Sequence, residues 1–175
     1  YLSDEMMDFF DAARQSDPAT FVLILTQRDV DKVVEMMRGR DFSDDDFLVT
    51  SLPPNEIADY LVAADIAISF IKPCFSKLSS SPTKNAEYLA CGVPIIANRG
   101  VGDVDEFIGR NRVGALVADF SRASYVNAIS EIRGMEDASG RCRKAAEREF
   151  DLDAVGGKRY RRLYSRLLGY KTEEG

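Results

Sequence analysis

"SSSPTKNAEYLACGVPIIANRG", residues 79–100, places a proline at the mouth of a helix, a lysine in its first turn and a carboxylate one turn on. A buried strand ending near glycine follows. With Ser81 as the N-cap, Pro82 takes the first helical position, where its missing N–H is no loss and its fixed φ suits the turn. The helix then covers Thr83 to Cys91, and the N–H groups of Thr83 and Lys84 point out of its end. "VPIIAN" (93–98) is apolar throughout, as a strand covered on both faces must be. A helix feeding such a strand is half of a β-α-β unit, so the neighbouring sequence should repeat the pattern.

It does. Upstream, "FVLILT" (21–26), "FLVTSL" (47–52) and "DIAISFI" (65–71) read as strands, and "VGALVAD" (113–119) follows downstream. Helical periodicity separates them. "YLSDEMMDFFDAARQ" has Ser3 as N-cap and Met6, Phe9, Phe10 and Ala13 on one face; "RDVDKVVEMMRGR" closes near Gly39; "PPNEIADYLVAA" opens on proline; "DVDEFIG" is short. Beyond residue 120 only helices are expected, over 121–135, 138–150 and 151–170. Strands separated by helices require right-handed crossovers and a parallel sheet. The expected fold is one α/β domain over residues 1–175, a Rossmann-like parallel sheet with helices on both faces. No repeat or interdomain linker interrupts it.

Composition narrows the chemistry. The chain has 175 residues, 45% of them hydrophobic, and a net charge of −6. A general nucleic-acid surface is therefore not expected, and any anion site must be local. With no histidine, Ser-His-Asp and Cys-His catalysis and most zinc sites are excluded. Three cysteines, an odd count without framework spacing, suit reduced thiols in a cytoplasmic setting, with Cys91 a buried small apolar group. No apolar run approaches the ~20 residues that span a bilayer.

Lys84 is the first anomaly. A cation in the first turn meets the positive end of the helix dipole, a cost of a few tenths to ~1 kcal/mol. A phosphate held by the leading N–H groups and the ammonium reverses that sign. An ion pair with Glu87, three residues on and worth roughly 0.2–0.5 kcal/mol, would also explain it; the pattern leaves both readings open. Glu87 is the second anomaly. Its neighbours "AEYLAC" are apolar on nearly every face, so the carboxylate is expected to be buried and to need hydrogen bonds, from Lys84 or from ligand hydroxyls such as a ribose pair. Lys77 and, less so, Lys72 could add charge from the preceding loop. Thr50, Ser51 and Leu52 follow the second strand on the same sheet edge, before a Pro-Pro turn. Gly100, Gly102 and Asp103 read as a tight turn and an N-cap. "KRYRRLYSR" (158–166) sets a basic face beside a packing stripe of Tyr160, Leu163, Tyr164, Leu167 and Leu168.

"SSPTKNAEYLACGVPIIANRGVGDVDEFI" resembles the donor-binding region of group 1 retaining glycosyltransferases of GT-B architecture, and "GALVADFSRASYVNAISEI" resembles the family's next segment. The likeness runs from about Asp65 to Leu168. It implies the C-terminal half of a GT-B enzyme, binding a nucleotide-diphosphate sugar in a cleft that faces an N-terminal acceptor domain. By that resemblance Glu87 holds the ribose, and Ser81, Thr83 and Lys84 meet the pyrophosphate, Lys84 offsetting the charge of the leaving diphosphate. A nucleobase could lie against Thr50, Ser51 and Leu52. No metal or other cofactor is implied. Ser79 stands where many members carry a second glutamate, which leaves the sugar open. The family's glycine-containing strand and basic pair ahead of the first helix have no counterpart, so Tyr1 is expected to follow the domain's first strand directly. The chain is then most of one half of an enzyme of polysaccharide biosynthesis type, inactive alone, and any membrane contact belongs to the full-length protein.

Two other classes compete. A sugar-nucleotide 2-epimerase shares the architecture but should need acid/base residues not found here. A non-catalytic α/β interaction module, such as a receiver-like domain, should show an acidic cluster after its first strand, and none is present.

Overall fold

The computed structural model describes residues 2–72, 74–75 and 81–168. Five strands alternate with helices as expected: α1 (Ser3–Ser16), β1 (Val22–Leu25), α2 (Val30–Arg38), β2 (Phe47–Thr50), α3 (Ile57–Leu61), β3 (Ala67–Ser69), α4 (Thr83–Ala90), β4 (Ile95–Asn98), α5 (Val104–Asn111), β5 (Gly114–Val117), α6 (Arg122–Arg133), α7 (Ala138–Phe150) and α8 (Lys158–Leu168). Every strand pair is parallel. The hydrogen bonds divide the strands into two sheets, β1-β2 and β3-β4-β5, where the sequence suggested one continuous sheet.

β4 shows why its sequence carries no alternation. Ile96 points into a core built with Phe9, Phe70, Ala115 and Tyr125, while Ile95 and Ala97 point into a second core with Leu89, Val104, Ile108 and Cys142. Successive side chains leave opposite faces of a strand, so both must be apolar when helices cover both sides. Helices α1 and α6 cover the first face; α4, α5 and α7 cover the second. The first core also takes Val22 of β1 and Phe47 of β2, so the two sheets share it. Its centre is aromatic: Tyr125 stacks on Phe70 at 5.9 Å, and the edge of Phe9 meets both rings. The Tyr125 hydroxyl donates to the Glu5 carbonyl. Burial first, then Asp8, Glu5 and Asp119, pushes its pKa up to about 12.

Two glycines are required by geometry. Gly92, at φ +82°, ends α4 in a left-handed turn in which Val93 N–H donates to Tyr88 O and Gly92 N–H to Leu89 O. Gly114 lets β5 approach β4: a Cβ there would sit 2.0 Å from the Ile95 carbonyl oxygen. Gly100 and Gly102 also lie at positive φ, Asp105 accepts from Gly100 N–H, and Asp103 caps α5 by position without a side-chain bond. That segment is the tight turn its sequence suggested.

Three local expectations change. α1 starts after Leu2, not Ser3, and has no side-chain cap. The segment after Pro53-Pro54 forms turns before a helix of five residues. The stripe Tyr160, Leu163, Tyr164, Leu167 and Leu168 is 52–71% exposed rather than packed, because α8 leans on the π-turn Leu152–Gly157 at its own start.

Candidate donor-binding cleft

The carboxyl ends of β1 and β2 and the amino end of α4 enclose a cavity of about 340 Å³. Leu25 to Arg28 form one wall, Leu52 and Ile57 a second, and Lys84 closes it from the first turn of α4. Loops at the carboxyl edge are where open α/β sheets bind ligands. A second cavity of about 380 Å³ lies toward the amino end of β5, among Ile108, Gly114, Glu131, Met135 and Arg141. Its wall mixes Glu131 and Glu136 with Arg112 and Arg141, and it lies away from the carboxyl edge where such sheets bind ligands.

The wall from β1 is tied to the wall from β2. Thr26 N–H donates to Thr50 O, extending the ladder by one rung. Gln27 Nε2 donates to Leu52 O at 2.6 Å, and Ser51 Oγ donates to Gln27 Oε1 at 3.1 Å. One side-chain amide thus engages Ser51 and Leu52, two of the three residues expected to meet a nucleobase. The Leu52 carbonyl and the Ser51 hydroxyl are committed within the protein. Thr26 Oγ1 donates to Arg28 O, which turns the chain into α2 and leaves Arg28 exposed at the cavity.

α4 departs from its sequence reading in two ways. Pro82 is its N-cap, with φ −66° and an extended ψ of 113°, and Ser81 lies one residue outside, giving no cap. The φ that proline fixes serves helical and extended backbone alike; only ψ separates them. Asn85 N–H donates back to Pro82 O, leaving Thr83 and Lys84 as the leading residues. Glu87 is exposed, not buried: the inward stripe of α4 is Asn85 and Leu89, four apart, and Glu87 lies on the outward flank with Lys84. A carboxylate there needs no internal partner. Asn85 instead carries the buried polar group, its Oδ1 without a hydrogen bond.

The structure therefore brings Lys84 and Leu52 to one cavity. Thr50 and Ser51 stand behind its β2 wall, while Ser81, Thr83 and Glu87 are placed around the start of α4 outside the lining. Lys72 is exposed just after β3; Lys77 and Ser79 lie outside the described residues. Sequence reading missed Gln27 and Arg28, although both directly follow the apolar run of β1 at its carboxyl end. It also missed Asn98. That buried side chain at the end of β4 accepts from Ile71 N–H at 2.8 Å and donates to Ile71 O at 3.0 Å and Arg99 O at 3.1 Å, pinning the chain where it leaves β3. A polar residue closing an otherwise apolar strand was the available signal.

No disulfide joins the three cysteines: Cys74 is exposed, Cys91 half-buried and Cys142 buried. Burial pushes the Cys91 thiol up and carries Cys142 to about 11.

Parallel sheets covered by helices on both faces, with a cavity at the carboxyl edge, place the chain among Rossmann-like α/β domains. Residues 4–149 match the model of the family "Glycosyl transferases group 1", and the chain belongs to that family. Solved structures share the fold. AviGT4, a glycosyltransferase involved in avilamycin A biosynthesis, is 20% identical with a TM-score of 0.66, covering 94% of this chain and 46% of its own. Sucrose-phosphate synthase from Thermosynechococcus elongatus is 18% identical, TM-score 0.64, covering 91% and 42%. The pneumococcal O-GlcNAc transferase GtfA, solved with UDP and GlcNAc, is 14% identical, TM-score 0.69, covering 94% and 33%. The chain thus spans less than half of each of these proteins. No curated protein matches it. Among the described residues no helix is long and apolar enough to cross a membrane.

Proposed function

We propose that this chain is the donor-binding half of a retaining glycosyltransferase that moves a sugar from a nucleotide diphosphate to an acceptor held by an N-terminal domain. One observation carries the reading: the cavity at the carboxyl edge joins Lys84 and the leading turn of α4 to Arg28, so two cations and a helix N-terminus border the same space. As the sugar–phosphate bond breaks, charge grows on the departing diphosphate. A preorganised ammonium and backbone dipole stabilise that charge without a metal ion. Gln27 holds the β2 loop as a wall for the base, and Glu87, one turn beyond Lys84, accepts from ribose hydroxyls at the cleft's outer rim. The full-length enzyme is expected in the cytoplasm.

GtfA holds UDP, which makes UDP the first ligand to titrate, with GDP and ADP beside it. Thermal denaturation of the chain should shift upward with one of the three; a ligand at 100 times its Kd adds about 2.7 kcal/mol. Lys84→Ala and Arg28→Ala should each weaken that affinity by about 1.5–3 kcal/mol, the range for a hydrogen bond to a charged group. No shift with any nucleotide, or variants that shift as much as the wild-type chain, would remove the reading.

A further inference from the structure

α8 is built unlike the other helices. α1 to α7 each bury at least one residue; α8 buries none, and Ser165 is its one half-buried position. Its apolar residues, Tyr160, Leu163, Tyr164, Leu167 and Leu168, recur at i, i+3, i+4, i+7 and i+8, so at about 100° per residue they share one face. The rings of Tyr160 and Tyr164 stack at 6.4 Å and carry that face from one turn to the next. By the same spacing Arg159 and Arg166 border the stripe on one side and Arg161 on the other, with Lys158 and Arg162 opposite.

Charge is set apart as sharply. Five of the chain's 23 basic residues lie on these eleven positions, which hold no acid; all 29 acidic residues lie elsewhere. In so acidic a chain a cation readily finds a carboxylate, as Arg38, Arg40, Arg110, Arg133 and Arg148 do. The cations of α8 pair with none among the described residues; all five are exposed, and Arg161 donates to the Asp153 carbonyl at 3.4 Å. Unpaired cations along both borders of an exposed apolar face select the occupant. Nucleic acid would take the cations and leave the stripe in water. A second copy of α8 would set five cations against five. An anionic bilayer meets both needs: the stripe enters the hydrocarbon boundary, while the arginine stems run along it and their heads reach the phosphates.

We propose that α8 binds the surface of an anionic lipid bilayer, lying in its plane with the tyrosine and leucine stripe sunk about 5–10 Å into the headgroup boundary and the cations at phosphate level. Eleven residues fall far short of a span, so the contact is peripheral and reversible. The acidic remainder of the chain is repelled by the same surface, which leaves α8 as the point of approach. The inference does not rest on the nucleotide reading, and its test contains no nucleotide.

Vesicle flotation decides it. At about 0.15 M salt the 175-residue chain should rise with vesicles of mixed phosphatidylcholine and phosphatidylglycerol and stay behind with phosphatidylcholine alone. The chain has no tryptophan, so Tyr164→Trp supplies a single reporter whose emission should shift to the blue on the anionic vesicles only. Arg159→Gln, Arg162→Gln and Arg166→Gln together should weaken binding about 100-fold, roughly fivefold per charge. Leu163→Asn with Leu167→Asn should abolish the blue shift. α8 buries nothing, so both variants should keep the wild-type thermal transition. No binding to anionic vesicles, which leaves the stripe to a soluble partner, would overturn the proposal. So would equal binding to both kinds of vesicle, a variant that binds as the wild-type chain does, or a concentration-dependent dimer lost with the two leucines, which gives the stripe to a second copy.

Discussion

Replacing Asn98 by alanine should be the most costly single truncation of a polar side chain at the carboxyl edge. The side chain is 4% exposed and makes three hydrogen bonds, two of them to one residue, Ile71. Removing it strands the Ile71 N–H and C=O, and each buried unsatisfied group costs about 1–3 kcal/mol. Ile71 is half-buried, so water recovers part of that loss. The expected net is about 2–4 kcal/mol, a large share of the 5–15 kcal/mol by which domains are stable. For a chain of this length each kcal/mol lowers Tm by roughly 2–4 °C. Urea denaturation of wild type, Asn98→Ala and Asn98→Asp at constant m would measure it. Asp keeps the acceptor for Ile71 N–H but turns a lone pair toward Ile71 O, so it should be no better than Ala at pH 7. It should recover stability only where its carboxyl is protonated and can donate. An alanine variant within ~0.5 kcal/mol of wild type, the scatter of an ordinary surface change, would refute the claim that this clamp holds Ile71 against β4.

Gly114→Ala should cost ~3 kcal/mol or more, because the obstacle to the new Cβ is the Ile95 backbone oxygen and not a movable side chain; chemical denaturation with loss of β4–β5 amide protection checks it. Disulfide-exchange reagents should label Cys74 in the native state first, Cys91 more slowly and Cys142 only on unfolding; early modification of Cys142 by mass spectrometry would contradict its placement. Hydrogen bonds from the Ser121 and Ser124 hydroxyls and the Ser121 amide hold Asp119 at about 2 against an ordinary 3.8. A lowered carboxylate favours the fold above the unfolded value and loses that contribution as pH falls through the folded one, so Asp119→Asn should flatten the acid limb of stability between about pH 4 and pH 2.

The strands were legible because each is a short apolar run, and in β4 Ile95, Ile96 and Ala97 serve two cores in turn. Crossover chirality did the rest: alternation alone yields parallel pairs. Which strand pairs with which was not legible, since nothing in "FVLILT" or "DIAISFI" says whether their outer edges meet. At the candidate cleft, Lys84 was singled out because a cation in a first turn contradicts the helix dipole, a conflict visible without a structure. Glu87 was misplaced because alanine and tyrosine neighbours look like core; the buried stripe of α4 passes through Asn85 and Leu89, and a helix this short buries little more. Pro82 misled by one residue because its ring sets φ and leaves ψ to the surroundings.

Gln27 and Asn98 escaped notice for a shared reason that also explains their use. Each is a neutral amide at the end of an apolar strand, and neither contradicts anything locally. Each then spans to the neighbouring loop: Gln27 donates to Leu52 O and accepts from Ser51, while Asn98 both accepts from and donates to Ile71. An amide side chain donates from one atom and accepts at another while remaining uncharged. An aspartate or glutamate would serve the donors, fail the carbonyls, and add negative charge at an edge where Arg28 and Lys84 gather positive charge. The loops around the cleft are therefore fastened by groups that add no negative charge beside Arg28, Lys84 and the end of α4, an arrangement consistent with the proposed diphosphate site.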